Sequence, residues 1–409
     1  QHADVLMNTG IAGTPTEFPF FAPTALRLAQ RWPKQVSIDW EAFEHAAQLE
    51  RLLPHLALYG ETPALDEFAF ELPEWLAHMK SADETDAAFL LRRFEQIPMT
   101  PFLRETLLDE LDLPVVLASG ADTPARTREK WPGASVHWQT TPRFRGRPPM
   151  PESVFVVPQS VRRVSPADGR AFVDLCRAAM VVRSRDLDAF AYGEPRDVRL
   201  VDCGDGLQFG YVGMMPERRL MLETVYGYLM LKNGVPVGYG AVTSLFGSAE
   251  VAYTVFDTFR GGEAALMFVN VLATARHLFG VDTFMIDPYQ LGHENDDAIQ
   301  SGAWWFYYKL GFRPREAAAR RVMHDEERRM KTRPKHRSSA ATLRKLASAN
   351  VYLRLGEQRD DVLGVLPLAN VGLRVTEYLA RHFGHDRARA TRECAVEAAR
   401  LRSEEHTSE

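Results

Sequence analysis

The stretch "SGAWWFYYKLGFRP", residues 301–314, crowds two Trp, one Phe and two Tyr together and then stops at Gly-Phe-Arg-Pro. Read as a helix, it sets Ala303, Phe306, Tyr307 and Leu310 on one face, because residues three and four apart are neighbours there. Trp304, Trp305 and Tyr308 point elsewhere, so this helix is either buried on more than one side or lines something. Gly311 suits a helix stop and Pro314 cannot continue the helix. The plain reading is a core helix rich in aromatics, and the segments before it decide whether it is more than that.

Those segments alternate strands with helices. "SPADGRAFVDLCRAAMVV" (165–182) has Ser165 as N-cap and Pro166 at the first helical position. "RLVDCGDGLQFGYVG" (199–213), "YGYLMLKNGVPVGYGAVTSLF" (226–246) and "AEVAYTVFD" (249–257) are strand-like, and Asn233-Gly234 is a strong hairpin signal. "GEAALMFVNVLATARHLFG" (262–280) is a helix apolar almost all round, so it is expected to be buried against a sheet. "VDTFMIDPY" (281–289) is one more strand, and the aromatic helix follows.

The flanks read differently. Residues 22–110 carry helical periodicity, as in "DWEAFEHAAQLERLLPHL" (39–56) and "DAAFLLRRFEQI" (86–97). "LPVVLASG" (113–120) and "SVFVVPQSV" (153–161) are short strand-like runs, with a Pro/Arg-rich linker at 140–153 between them. Beyond Pro314, residues 315–337 mix both signs of charge as a solvated helix or connection. "TLRKLASANVYLRL" (342–355) and "LPLANVGLRVTEYLARHFG" (366–384) read as further helices. The expected division is a helical N-terminal region (1–111), short strands and linker (112–160), an α/β domain (161–315) and a helical C-terminal extension (316–401). The start at Gln1 reads as a truncation, and "RSEEHTSE" (402–409) reads as translated sequencing adapter, set aside from fold reasoning.

Composition narrows the function class. A net charge of −5 gives no general pull toward nucleic acid or anionic membranes, and no apolar run is long enough to span a bilayer. Three separated cysteines, Cys176, Cys203 and Cys394, fit reduced thiols in a cytoplasmic protein rather than a disulfide or zinc framework. There is no Gly-rich nucleotide motif, HExxH or GxSxG, and no metal is expected. The basic run 329–337 lacks interleaved aromatics and follows acidic residues, so it reads as a solvated face.

The order from 165, together with "FRGGEAA" (259–265) and "FYYKLGF" (306–312), resembles the GNAT superfamily of acyl-CoA-dependent N-acyltransferases over about residues 165–314. That resemblance implies an α/β (α+β) fold whose mixed, twisted sheet splays open between two central strands. It implies acetyl-CoA as co-substrate and an amine-bearing acceptor, small molecule or protein, that attacks the thioester directly. In the family, R/Q-x-x-G-x-G/A opens a helix whose N-terminal amides hold the cofactor pyrophosphate. Arg260, Gly261, Gly262, Ala264 and Ala265 take that place here, and Glu263 stands where the family has its central Gly. The alternative is a plain strand-to-helix turn with an acidic first turn.

On the second motif, Tyr307 falls where many members keep the tyrosine that protonates the departing thiolate, and a buried aromatic with a satisfied hydroxyl is the alternative. A base belongs on the strand before the phosphate loop. Glu250 and Asp257 are the carboxylates there, and Glu250 is the choice because Asp257 sits beside the loop. A backbone N–H on the strand containing Val255 would polarise the thioester carbonyl. Asn295 lies where the family often has an Asn contacting the cofactor arm, and equally reads as an N-cap before Asp-Asp-Ala. The rival is a non-catalytic GNAT-like binding or scaffolding protein, motivated by Glu263. A transferase of two GNAT-like halves ranks lower, since 112–160 holds no second phosphate-loop pattern.

Overall fold

The computed structural model describes residues 6–134, 136–140, 144, 146–220, 222–261, 263–384 and 386–405. The N-terminal region is helical, as its periodicity implies, but it also holds a three-stranded sheet. Strands β1 (Thr16–Phe18), β2 (Val36–Ile38) and β3 (Val115–Leu117) pair antiparallel in the order β1-β3-β2. Of these, only the 113–120 run was expected as a strand. β1 and β2 are three residues each, too short for an alternation to show. Helices such as Asp86–Gln96, capped by Thr85, pack Phe89, Leu90 and Trp75 into the core over this sheet.

The larger sheet has nine strands. They are β4 (Ser160–Arg163), β5 (Gly193–Gly204), β6 (Leu207–Met214), β7 (Thr224–Lys232), β8 (Val235–Leu245), β9 (Ser248–Val255), β10 (Thr283–Ile286), β11 (Arg313–Pro314) and β12 (Val351–Arg354). Their order is β11-β12-β10-β9-β8-β7-β6-β5-β4, antiparallel throughout except for the β9–β10 pair. Asn233 and Gly234, at φ 52° and 78°, make the tight turn between β7 and β8 with the positive φ values a two-residue hairpin needs. Alternation along β7 sorts the sheet faces. Tyr228 and Met230 pack toward the Ala264–Phe279 helix, while Leu229 and Leu231 pack toward the Pro166–Val181 helix. That second helix starts where Ser165 accepts the Asp168 N–H at 3.1 Å. It lies close on the sheet because β6 offers Gly210, where a Cβ would sit 1.8 Å from the Phe172 ring.

Three expectations need correction. Residues 153–157 are not a strand: Glu152–Phe155 is a 3-10 turn, and the strand is Ser160–Arg163. Residues 351–354, read as helix, form β12, which slots between β10 and β11 and pairs with both. The sheet therefore continues past 315, and the segment 317–346 is a helical insertion between its last two strands. The final helix, Arg387–Glu405, runs through the first residues set aside as adapter, and 406–409 lie outside the described residues, as do Thr141, Pro142, Arg143 and Arg145 of the linker. Among the described residues, no helix is long and apolar enough to cross a membrane.

Candidate functional site

The one parallel pair of the described sheet, two strands in from the β11 edge, is short. β9 and β10 match at Ser248/Thr283, Ala249/Phe284 and Glu250/Met285, and there the pairing ends. The cause is local. Asp287 and Pro288 follow β10, Asp287 Oδ1 accepts the Gln290 N–H at 3.0 Å, and the chain turns into a short helix instead of extending the ladder. β9 continues to Val255 with β8 on one side only. Phe256 N–H bonds Val237 O at 3.0 Å, so the facing pair Val255/Gly238 is a non-bonded one. By the antiparallel alternation, the N–H groups of Tyr253 and Val255 point away from β8 into the opening beside β10. Gln290 Oε1 reaches across and accepts the Tyr253 N–H at 3.3 Å.

Glu250 sits at the last paired position, half-buried, with Thr243 opposite on β8 and Met285 opposite on β10. Burial, reinforced by the neighbouring Asp287 charge, pushes its carboxyl up to about 7. A carboxyl so placed exchanges its proton near neutral pH, as a general base must.

Tyr307 is 3% exposed on the Ala303–Lys309 helix, packed edge-on against Phe268 at 5.3 Å and Phe312 at 5.8 Å between ring centres. Burial raises its hydroxyl well above the ordinary tyrosine value, and Asp287 adds to the shift, so the phenol holds its proton at neutral pH. Asp287 thus acts electrostatically on both Glu250 and Tyr307.

The other face of the aromatic helix is covered by the chain itself. Trp305 Nε1 donates to Ser338 Oγ at 3.0 Å, the Tyr308 hydroxyl donates to Glu327, and Trp304 stacks on Tyr308. Beneath them the carboxylate of Glu326, 1% exposed, accepts from Ser338 (2.6 Å), Arg329 (2.7 Å) and His336 (2.8 Å). The crowding of aromatics in 304–308 is therefore explained by two buried faces, one on the sheet and one under the 317–346 insertion.

The loop after β9 begins with the turn Asp257–Phe259, and Arg260 pairs with Asp257 at 2.8 Å. Gly261 is exposed, and Gly262 lies outside the described residues. Glu263 occupies the N-cap position, its side chain making no capping hydrogen bond, and Ala264 and Ala265 open the helix. The Tyr253 hydroxyl donates to Ala264 O at 2.7 Å and ties this helix start to β9. Asn295 acts as an N-cap: its Oδ1 accepts the Ala298 N–H and its Nδ2 donates to Tyr289 O, both at 3.1 Å. Among the described residues, no group of three His, Cys, Asp or Glu side chains is arranged to hold a metal ion.

Glu250 thus lies at the last β9–β10 pair, Tyr307 lies in the core against Phe268, and Asp287 acts on both. Asp287 and Gln290 were not anticipated. Their only trace in the sequence is "IDPYQ" (286–290), an Asp-Pro helix start directly after a strand. No family model matches the chain, and no curated protein matches it.

Proposed function

We propose that the module built on the nine-stranded sheet is a GNAT-like N-acyltransferase that moves an acetyl group from acetyl-CoA to an amine. The observation that carries this reading is that the β9–β10 parallel contact ends after three pairs, where β10 turns away into the 288–291 helix, with Glu250 at the last pair and Asp287 acting on both Glu250 and Tyr307. The resemblance of 165–314 leads one to look for such a divergence.

In this reading the Val255 N–H faces the thioester carbonyl and polarises it, since it points into the opening rather than toward β8. Glu250, with its carboxyl near 7, takes the proton that the amine loses as nitrogen attacks the carbonyl carbon. The carbon–sulfur bond breaks, and Tyr307, still protonated at neutral pH, gives its proton to the departing thiolate. Amides at the start of the Ala264–Phe279 helix face the pyrophosphate. Two residues oppose this fit. Gln290 must release the Tyr253 N–H for a pantetheine arm to bond there, and the Glu263 carboxylate competes with phosphate at the helix start. Those two residues are what favours the non-catalytic alternative.

Thiol release from acetyl-CoA, measured against a panel of primary amines, separates the two. Acceptor-dependent release that Glu250→Gln lowers at neutral pH supports transfer. Release with none of the amines, together with no binding of acetyl-CoA, supports a non-catalytic domain.

A further inference from the structure

Three arginines from distant parts of the sequence converge near the loop after β9. Arg183 and Arg185 follow the Pro166–Val181 helix, and Arg126 is brought beside them by its Nε bond to Val182 O at 3.3 Å. The Arg183 guanidinium lies 3.5 Å from the centre of the Phe256 ring, the residue that ends β9's pairing with β8. Its Nη1 donates to Ala179 O at 2.8 Å, while its Nε is buried with no acceptor. Arg185 Nη1 donates to the Tyr239 hydroxyl at 3.2 Å, and the Tyr239 and Phe256 rings pack 5.7 Å apart. The two guanidiniums therefore lie together on an aromatic platform where β8 begins and β9 ends.

Among the described residues, none of these three arginines has a carboxylate within ion-pair distance, whereas Arg260 beside them pairs with Asp257. Asp257, Glu129 and Asp297 act on the pair through space only, and Asp257 is already engaged by Arg260 at 2.8 Å. Burial and the like charges of Arg126 and Arg185 bring Arg183 down to about 10. Such a group destabilises the fold until an anion neutralises it. Guanidinium forks suit the flat, multi-oxygen face of a carboxylate or phosphate.

We propose that Arg183 and Arg185, with Arg126 behind them, form an anion seat at the end of β9 that takes the carboxylate or phosphate of a bound small molecule. The purpose of the seat rests on the acyl-transfer reading, which offers two sources of the same chemistry. One is an acidic group on the amine acceptor. The other is a phosphate of the cofactor.

The test needs no turnover. Inorganic pyrophosphate and succinate are titrated separately into the full chain at constant ionic strength, and the melting temperature is followed. The seat predicts a saturable rise with at least one of the two anions at millimolar concentration, since a ligand bound only by the native state stabilises it. Replacing one charged donor by Gln weakens such an anion by about ten- to a hundredfold. Arg183→Gln/Arg185→Gln is expected to remove the response. Arg185→Gln alone, which gives up only the bond to Tyr239, is expected to weaken it and covers the case in which loss of the Phe256 contact unfolds the double variant.

Titrating acetyl-CoA and its 3′-dephospho form then identifies the source. A 3′-phosphate in the seat makes Arg185→Gln lose affinity for acetyl-CoA but not for the dephospho form, and a pyrophosphate in the seat makes it lose affinity for both. An acidic acceptor leaves both affinities at the parent's value. No response to either anion in the parent, or an equal response in Arg185→Gln, overturns the seat. Failure of acetyl-CoA to bind while the anion response persists overturns the acyl-transfer reading instead.

Discussion

Replacing Glu250 by Gln is expected to stabilise the protein, and only at neutral to alkaline pH. The carboxyl sits at 4.5 in an unperturbed setting and is pushed up to about 7 in the fold by burial and by Asp287. A raised carboxyl binds its proton more tightly when folded. Its stabilising contribution is complete below pH 4.5 and is lost as pH rises through 7. At 1.36 kcal/mol for each tenfold change in proton affinity, ionising Glu250 in the fold costs about 3 kcal/mol. Gln has nearly the same shape and never ionises. The stability gap between Glu250→Gln and the parent is thus small at pH 4.5, widens to pH 7 and then levels off. In melting temperature the plateau is roughly 6–12 °C for a cooperative unit of about two hundred residues. Melting curves of both proteins from pH 4.5 to 9 measure it. Asp287→Asn preserves the side-chain oxygen that caps the 288–291 helix, removes the second cause of the shift, and should narrow the gap. A gap that does not change with pH would refute the placement of Glu250 in a desolvated setting next to Asp287.

Other substitutions probe the remaining parts. Tyr307→Phe keeps the ring that packs on Phe268 and removes the proton donor, so turnover should fall by about a hundred- to ten-thousand-fold with acetyl-CoA affinity unchanged. Tyr308→Phe loses the bond to Glu327 and should cost some stability while leaving turnover intact, a contrast read by steady-state kinetics and melting of both variants. Glu326→Gln removes the counter-charge of Arg329 and disturbs a three-donor cluster, so urea unfolding should report a loss of about 1–3 kcal/mol.

Sequence and structure agree where the signal is local. Ser165 with Pro166, Asn233-Gly234 and Gly280 each fix a helix start, a turn or a helix end through neighbours in the chain, and each lies where its residue type implies. They diverge where a distant partner decides. Val351–Arg354 is a strand because β10 and β11 leave a gap between them, with Tyr352 opposite Met285 on one side and Arg313 on the other. Nothing within "SANVYLRL" (348–355) records that gap. The candidate site follows the same rule. Glu250 could be picked out as a carboxylate on the strand before the loop, but its raised pKa comes partly from Asp287, beyond the crossover helix. The arginines at 126, 183 and 185 are unremarked in the sequence because they meet only through packing on Phe256, Tyr239 and Val182.

The central claim is that the opening between β9 and β10 receives an acyl-CoA, and calorimetric titration of acetyl-CoA into the full chain tests it most directly. The account predicts saturable binding at one site per chain. It also predicts tighter binding by Glu263→Gly, which removes a carboxylate from the start of the Ala264–Phe279 helix and so a competitor for phosphate. No binding by either protein at millimolar acetyl-CoA would contradict it.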